Sequence, residues 1–598
     1  MFRLLTPNSQ GLRNVLLRNV NKNHTGLKLA GPNGTVDLQK DYQIRNNSTL
    51  KSQDAFVKQK NYVLADQTAI GDANTFDQLL RSARHHRKQR SKVNEPLTRT
   101  IQSLSDMFKD DSIKEHLSSL NIGQYASLLN DAVFRNRFSR LSSHSNRDSD
   151  SYNSNNVNND IMLKEAILNL MDNVSSGQIK GAIDPETVKN LLLSMCQYKA
   201  WPEIVNFWEN GVNDENLSQL FLSEKILAAV LPVAFDEQRY SYDQIIKLYD
   251  TNVKDKNNVD PDLVVSIGKI ALKSEDYTRA LDAMESLLKV YEADPTSLRV
   301  LKNLSELHLS FIGFSKDLNI ATHFFNKVIE HELPYEAPLK APHVASLLEN
   351  LMANNESYET IYDVWRKTAD FYTKDKFQQS AINSRYSILN NKFLSIFFQL
   401  HPSLTEESHS ELKKLIATYS NVKDIDEYFL NTLISNYSWG DKTVFLQLLE
   451  LYQIHDIAST PVSNRIVLKK MGDISDFTVR DIIDRWNRSL GHLDQAGYRY
   501  IPIADWAALR DCTILSRFGK ERTDVYMAIL AAYKDFHQDG KAVTRFVKTW
   551  LHSPLANTVA RMVSEPESNF VCEESISIPE FKKLKKNVNY KKLAKELN

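Results

Sequence analysis

The side chains that could do covalent or metal chemistry are present in this sequence but not assembled. There is no GxxxxGKS or GxxxxGKT phosphate loop, no GxGxxG turn, and no HExxH, GxSxG or CxxC motif. His308, His323, His331 and His343 lie in one stretch, yet their spacing matches no ligand pattern. Cys196, Cys512 and Cys572 are far apart, so they imply neither a zinc site nor a disulfide framework and fit a reducing compartment. Two close carboxylate pairs, Asp148/Asp150 and Asp424/Asp426, sit in polar stretches without a supporting base, nucleophile or third ligand. The expectation is no catalytic residue, no metal, no cofactor and no small-molecule substrate.

What the residues can do is neutralise phosphate. The densest basic run holds Arg81, Arg84, Arg87, Lys88, Arg90 and Lys92, with His85 and His86 among them. A second arm near the end holds Lys582, Lys583, Lys585 and Lys586, then Lys591, Lys592 and Lys595. Phe581, Leu584, Tyr590 and Leu593 make that arm amphipathic, which suits a membrane surface, RNA or a partner protein. A third group is scattered between the arms: Arg465, Lys469, Lys470, Arg480, Arg485, Arg488, Arg510, Arg517, Lys520 and Arg522.

The formal net charge of zero hides this pattern. Residues 1–100 hold 17 Lys/Arg against 7 Asp/Glu; residues 161–460 hold 28 against 42; residues 461–560 hold 15 against 11. Because phosphate neutralisation dominates nucleic-acid affinity, the C-terminal repeats and the two arms are the expected RNA contacts, and the acidic middle is not.

The elements that must position these groups are helices in a repeat. Five segments begin at Trp201, Tyr242, Tyr277, Leu318 and Tyr358, spaced 41, 35, 41 and 40 residues apart. Each is apolar at its start, at plus three or four, and at plus seven, as in Trp201/Ile204/Val205/Trp208 and Tyr358/Ile361/Tyr362/Trp365. That spacing draws one stripe along a helix. Asp184-Pro185, Asp260-Pro261 and Asp294-Pro295 read as N-caps of the partner helices. A period of this size means stacked helix pairs, each burying its apolar face only against its neighbours. The predicted fold is all-α, an α-solenoid of stacked helix-turn-helix repeats.

Residues 1–36 carry Arg3, Arg13, Arg18, Lys22 and Lys28 and no acid, with Phe2, Leu5, Leu12, Val15 and Leu16 able to share a helix face. This is the composition of a mitochondrial transit peptide. Residues 37–99 are expected to be polar, basic and largely disordered, 100–138 helical, and 139–160 an Asn/Ser-rich linker or loop. The repeat array spans 161–560, and 561–598 is a C-terminal extension with the basic tail.

The stretch from Pro185 through Trp208 resembles a degenerate pentatricopeptide repeat, and the one from Pro261 through Leu288 is also similar to a tetratricopeptide repeat. The resemblance implies right-handed stacks of helix-turn-helix units. In the pentatricopeptide branch a polar residue of the first helix contacts a base of single-stranded organellar RNA. Counting eleven residues back from the second-helix start gives Asn190 and Ser266, which suit that role, and Leu231, Leu307 and Leu347, which do not. Repeat, address and Asn-rich segment together resemble the divergent fungal mitochondrial factors that act in mRNA stability, processing or translation.

Two functions follow as expectations. The first is a non-catalytic RNA-binding protein of the mitochondrial matrix whose partner is single-stranded mitochondrial RNA. Its basic arms would meet the mitoribosome, other gene-expression proteins or the inner-membrane surface. The alternative is a mitochondrial protein-interaction scaffold or assembly factor for a respiratory complex or the mitoribosome. The concave face decides between them: rich in Lys, Arg, Asn and Ser for RNA, acidic or apolar for protein.

Overall fold

Many of the helices in this chain begin where a short side-chain acceptor caps the first turn. Asp184, Asp260, Asp426 and Asp441 accept from backbone N–H groups two or three residues on, and Ser241, Thr405 and Thr460 close reciprocal capping boxes. The computed structural model describes residues 67–529, apart from 89–94, 144–149, 178, 180–182, 254, 256–257, 375–381, 496–500, 519–521 and 527. Among the described residues there is no strand.

The helices fall into two units, 1–315 with 331–338, and 316–330 with 339–598. The first contains α1 (Gln67–Lys88), α2 (Glu95–Met107), α3 (Asp111–Lys114), α4 (Ser119–Ser143), α5 (Asp150–Ser175), α6 (Pro185–Gln197), α7 (Trp201–Asn213), α8 (Ser218–Phe221), α9 (Glu224–Asp236), α10 (Tyr242–Asn252), α11 (Pro261–Lys273), α12 (Tyr277–Ala293) and α13 (Leu298–Phe314). The second contains α14 (Leu318–Ile329), α15 (Ala341–Ala353), α16 (Tyr358–Lys374), α17 (Ile382–Leu400), α18 (Glu406–Val422), α19 (Glu427–Asn436), α20 (Lys442–Ile454), α21 (Pro461–Met471), α22 (Val479–Gln495) and α23 (Ile503–Cys512).

Each unit has two layers. In the first, α4, α6, α9, α11 and α13 stack in succession, and α7, α10 and α12 pack behind them. In the second, α15, α17, α19, α21 and α23 form the equivalent first-helix layer, backed by α16, α20 and α22. The expected second-helix starts are the observed ones, at Trp201, Tyr242, Tyr277, Leu318 and Tyr358. The plus-seven residues of four of them explain why: Trp208, Met284, Phe325 and Trp365 are at most 2% exposed and form the seam between layers, while Tyr249 is partly buried. The indole N–H groups of Trp208 and Trp365 still find acceptors, Phe221 O and Asn390 Oδ1, both at 3.0 Å.

The turn after the first helix is also repeated. Lys199, Gln238, Glu275 and Asn355 adopt φ of 54–63°. In each case the next amide reaches back to the helix end: Ala200 to Met195 O, Arg239 to Ala234 O, Asp276 to Ala271 O and Glu356 to Leu351 O, at 2.9–3.2 Å. A left-handed residue with a Cβ costs about 1 kcal/mol. Replacing Lys199 or Gln238, both exposed, with glycine should therefore stabilise the first unit by about 0.5–1 kcal/mol. A urea midpoint that does not rise for either variant would refute that account of the turn.

Three expectations change. Residues 67–88, expected to be disordered, form α1, because Phe76, Leu80 and Ala83 are buried and Phe76 packs edge-on against Tyr125 at 5.5 Å. The Asn/Ser-rich run 139–160 carries the end of α4 and the start of α5. The buried Leu163, Ile167, Leu170 and Val174 farther along α5 anchor that helix. Asp294 is not an N-cap; it closes α12 and accepts from Thr296, and Ser297 precedes α13. No described helix is long and apolar enough to cross a membrane. Residues 1–66 and 530–598, with the expected transit peptide and the basic tail, lie outside the described residues.

Candidate nucleic-acid interface

A first helix buries one side against second helices and two flanks against neighbouring first helices, which leaves a narrow open stripe. The stripe starts two residues after each N-cap, and its composition differs between units. In the first unit these positions are Glu186, Lys225, Asp262 and Arg299, alternating in charge. In the second they are Pro342, Tyr428, Val462 and Ala504.

The charged row closes on itself. Lys225 lies 3.9 Å from Glu186, Lys189 lies 3.0 Å from Asp262, and Arg299 reaches both Asp260 and Asp262 at 2.5 and 2.9 Å. Asn303 adds a bond to Asp262 at 2.8 Å. Burial alone would raise the Asp262 carboxyl, but hydrogen bonds from Arg299, Asn303 and Lys189 outweigh it and hold the group well below the usual carboxylate range. Deeper along the row, Lys269 pairs with Glu306 and Lys273 with Asp236. The cations of this row are thus engaged in tying first helices together, and the net acidic excess of the middle repeats remains.

The second unit's row stays open. Tyr428 is 57% and Val462 47% exposed. Farther along the first helices lie hydroxyls, an amide and a cation: Thr432 and Ser435 on α19, Ser395 and Gln399 on α17, Lys469 on α21. Neighbouring helices are registered at its edges by Asn436 to Asn391 at 3.0 Å, and by Glu427, which accepts from the hydroxyls of Thr460 and Ser463. Arg465 pairs with Asp505 at 2.6 Å. Burial pushes the Asp505 carboxyl up, against the pull of Arg465.

The residues expected from sequence scatter across this frame. Ser266 is buried and donates to Ala228 O at 2.8 Å, and Asn190 accepts from Asn130 at 3.3 Å, so both serve helix-to-helix contacts. Leu231, Leu307 and Leu347, in the same register, are fully buried. That register therefore points at the preceding helix and not at the open stripe. Arg480, Arg488, Arg517 and Lys469 are exposed. Lys470 pairs with Asp473 at 2.9 Å, and Arg510 with Asp511 at 2.6 Å. Arg485 is turned inward onto Asn464 Oδ1 at 2.8 Å, and burial brings it down to about 10. Arg522 is only 4% exposed and donates to backbone carbonyls, so it is a structural residue and not an RNA contact. Arg81 is exposed and pairs with Asp77 at 2.8 Å. Arg84, Arg87 and Lys88 fall on α1, without described side chains; Arg90, Lys92, Lys520, Lys582, Lys583, Lys585 and Lys586 lie outside the described residues.

Sequence reasoning missed Tyr428 and Val462. The signal was available: each stands two residues after an N-cap, Asp426 or Thr460, where the helix face has no neighbour to pack on. Among the described residues no group of three or more His, Cys, Asp or Glu could hold a metal ion.

Stacked helix pairs with an open stripe along the first helices define an α-helical repeat protein. Three family models, the RMD9 N-terminal, middle and C-terminal domains, match residues 60–222, 242–458 and 495–590. The chain is 42% identical to the mitochondrial RNA-binding protein RMD9 of Debaryomyces hansenii over 100% of both chains, and 38% identical to that of Meyerozyma guilliermondii over 99% of both. It also superposes on the solved structure of yeast Rmd9p in complex with a 16-nt target RNA, with TM-score 0.68 and 26% identity, covering 85% of this chain and 99% of that one. The chain belongs to the RMD9 family.

Proposed function

We propose that this chain is a mitochondrial RNA-binding protein that works without catalysis, and that its second unit holds single-stranded RNA along the open stripe of its first helices. The observation that carries the reading is the pair Tyr428 and Val462, large exposed side chains at the same position of neighbouring first helices, with Thr432, Ser435 and Lys469 farther along those helices. A continuous apolar patch would suit a protein partner. Single stackable side chains one repeat apart suit bases instead, because every base has a face to stack and edges for hydroxyls and amides to read. Lys469, Arg480, Arg488 and Arg517 supply cations for the backbone. RNA held in this way is shielded from nucleases, which supports a role in mRNA stability, processing or translation within the matrix. The basic arms then serve the mitoribosome, other gene-expression proteins or the inner-membrane surface. The relatives' naming as mitochondrial RNA-binding proteins and the bound RNA of yeast Rmd9p support this reading.

The scaffold reading keeps one foothold, in the first unit. Its ion-paired row has little charge left for phosphate, so that unit suits a protein contact better than an RNA track.

Tyr428→Ala should weaken binding of a selected single-stranded RNA about tenfold, and Tyr428→Phe should hold it within about twofold, since stacking on an aromatic is worth about 1–3 kcal/mol per base. Equal affinities for the wild type and the alanine variant would remove Tyr428 from the interface. Crosslinking of the tagged protein inside mitochondria, followed by sequencing, tests the wider claim: crosslinks no higher than an untagged control would favour the scaffold.

A further inference from the structure

We infer that Asp511 limits RNA affinity by holding two phosphate-seeking cations, Lys469 and Arg510, in internal ion pairs; the inference rests on the RNA-binding reading above. Lys469 projects from the open stripe of α21 with its side chain 65% exposed, the geometry of a backbone contact. Its ammonium lies 3.2 Å from the Asp511 carboxylate on α23. The same carboxylate accepts from Arg510, Nε at 2.7 Å and Nη2 at 2.6 Å. Asp511 is itself only 16% exposed, so it cannot swing into solvent when a phosphate arrives.

Asp511 therefore sits between two cations and cancels one of their charges. A phosphate approaching Lys469 meets a site of net charge +1, where the two cations alone would give +2. An anion that stays in place also repels the phosphate across a few ångströms. Arg480 and Arg488, by contrast, stand exposed on α22. The arrangement turns what could be a tight, sequence-blind electrostatic clamp into a moderate one, and leaves more of the discrimination to stacking and base-edge contacts.

Asp511→Asn keeps an acceptor for Arg510 and removes the charge. The test uses the full-length chain and a fluorescently labelled single-stranded RNA of about 16 nucleotides, the length in the related complex, selected by the wild-type protein from a random pool. Asp511→Asn should bind that RNA about fivefold more tightly, the size of removing one like charge near a solvent-exposed phosphate. Its salt dependence should steepen by about 0.7, one further neutralised phosphate on a single strand. Its preference for the selected RNA over a scrambled one should narrow. In a Lys469→Ala background the gain should shrink to about twofold, because only Arg510 is left to be released. Unchanged or weaker binding by Asp511→Asn, with a melting curve matching the wild type, would overturn the inference and leave the RNA reading standing. Should the asparagine variant melt early, Lys469→Ala alone decides: no loss of affinity there overturns the inference as well. A wild-type chain that retains nothing from the pool overturns both.

Discussion

Arg522→Ala should cost the second unit about 3–5 kcal/mol, the largest effect expected of any single substitution here. The guanidinium fans across one turn of chain. Nη1 donates to Met471 O, Gly472 O and Ser516 Oγ at 3.4, 3.3 and 3.0 Å, and Nη2 to Ile474 O, Ser475 O and Phe477 O at 2.8, 3.2 and 2.9 Å. These carbonyls belong to the end of α21 and the loop that leads into α22, and the Phe518 ring covers the group at 4.9 Å. Burial lowers the arginine's proton affinity, yet the group stays charged at neutral pH because carbonyl dipoles replace its water. Truncation would leave several buried acceptors without a donor, each costing about 1–3 kcal/mol and not additively. Arg522→Lys should recover less than half of the loss, since an ammonium has three donors and no planar fork. Urea unfolding followed by circular dichroism checks this; a midpoint within about 0.5 kcal/mol of wild type would show that the carbonyls find water instead.

Asp262→Asn should be the next most damaging, about 2–3 kcal/mol at neutral pH, and its effect should depend on pH. Asp262 takes hydrogen bonds from Lys189, Arg299 and Asn303. Removing its charge strands Lys189, whereas Arg299 keeps Asp260. The estimate sits below the range for fully buried pairs because the Asp262 side chain is still 26% exposed. Its folded pKa is depressed, so the stabilisation is complete above the unfolded value of about 4 and drains away as pH falls below it. The gap between wild type and Asp262→Asn should therefore be widest at pH 6–7 and narrow toward pH 3. A gap constant across that range would mean that charge is not what Asp262 contributes. Because Arg522 and Asp262 lie in different units, the double variant should show both losses unmodified.

Much of the fold was legible because helix seams are written in bulky residues. Trp201, Tyr242, Tyr277, Leu318 and Tyr358 mark helix starts in both the pattern and the structure. The site was less legible, for a physical reason. Hydrophobic periodicity reports which face is buried, so it assigns every large apolar side chain to the core, Tyr428 and Val462 included. Charge counts fail in a complementary way. They give Lys469, Arg510 and Arg522 equal weight, although one stands on the open face, one is paired beside it, and one is sealed under a loop whose carbonyls come from 45–51 residues earlier. The Asn/Ser run at 139–160 misled because composition measures local preference, and α5 is held by apolar residues farther along.

The Lys189–Asp262 bond has a mechanical meaning. A stack of helix pairs behaves as a spring, changing pitch by small rotations at each junction, and contacts confined to adjacent turns leave every junction free to give. Lys189 on α6 passes α9 and grips α11, so this strut spans two junctions at once. Extending or recoiling that stretch must break an ion pair before either junction can rotate far. Under tension the α6–α11 stretch should act as a stiff coil, and softer joints should yield first.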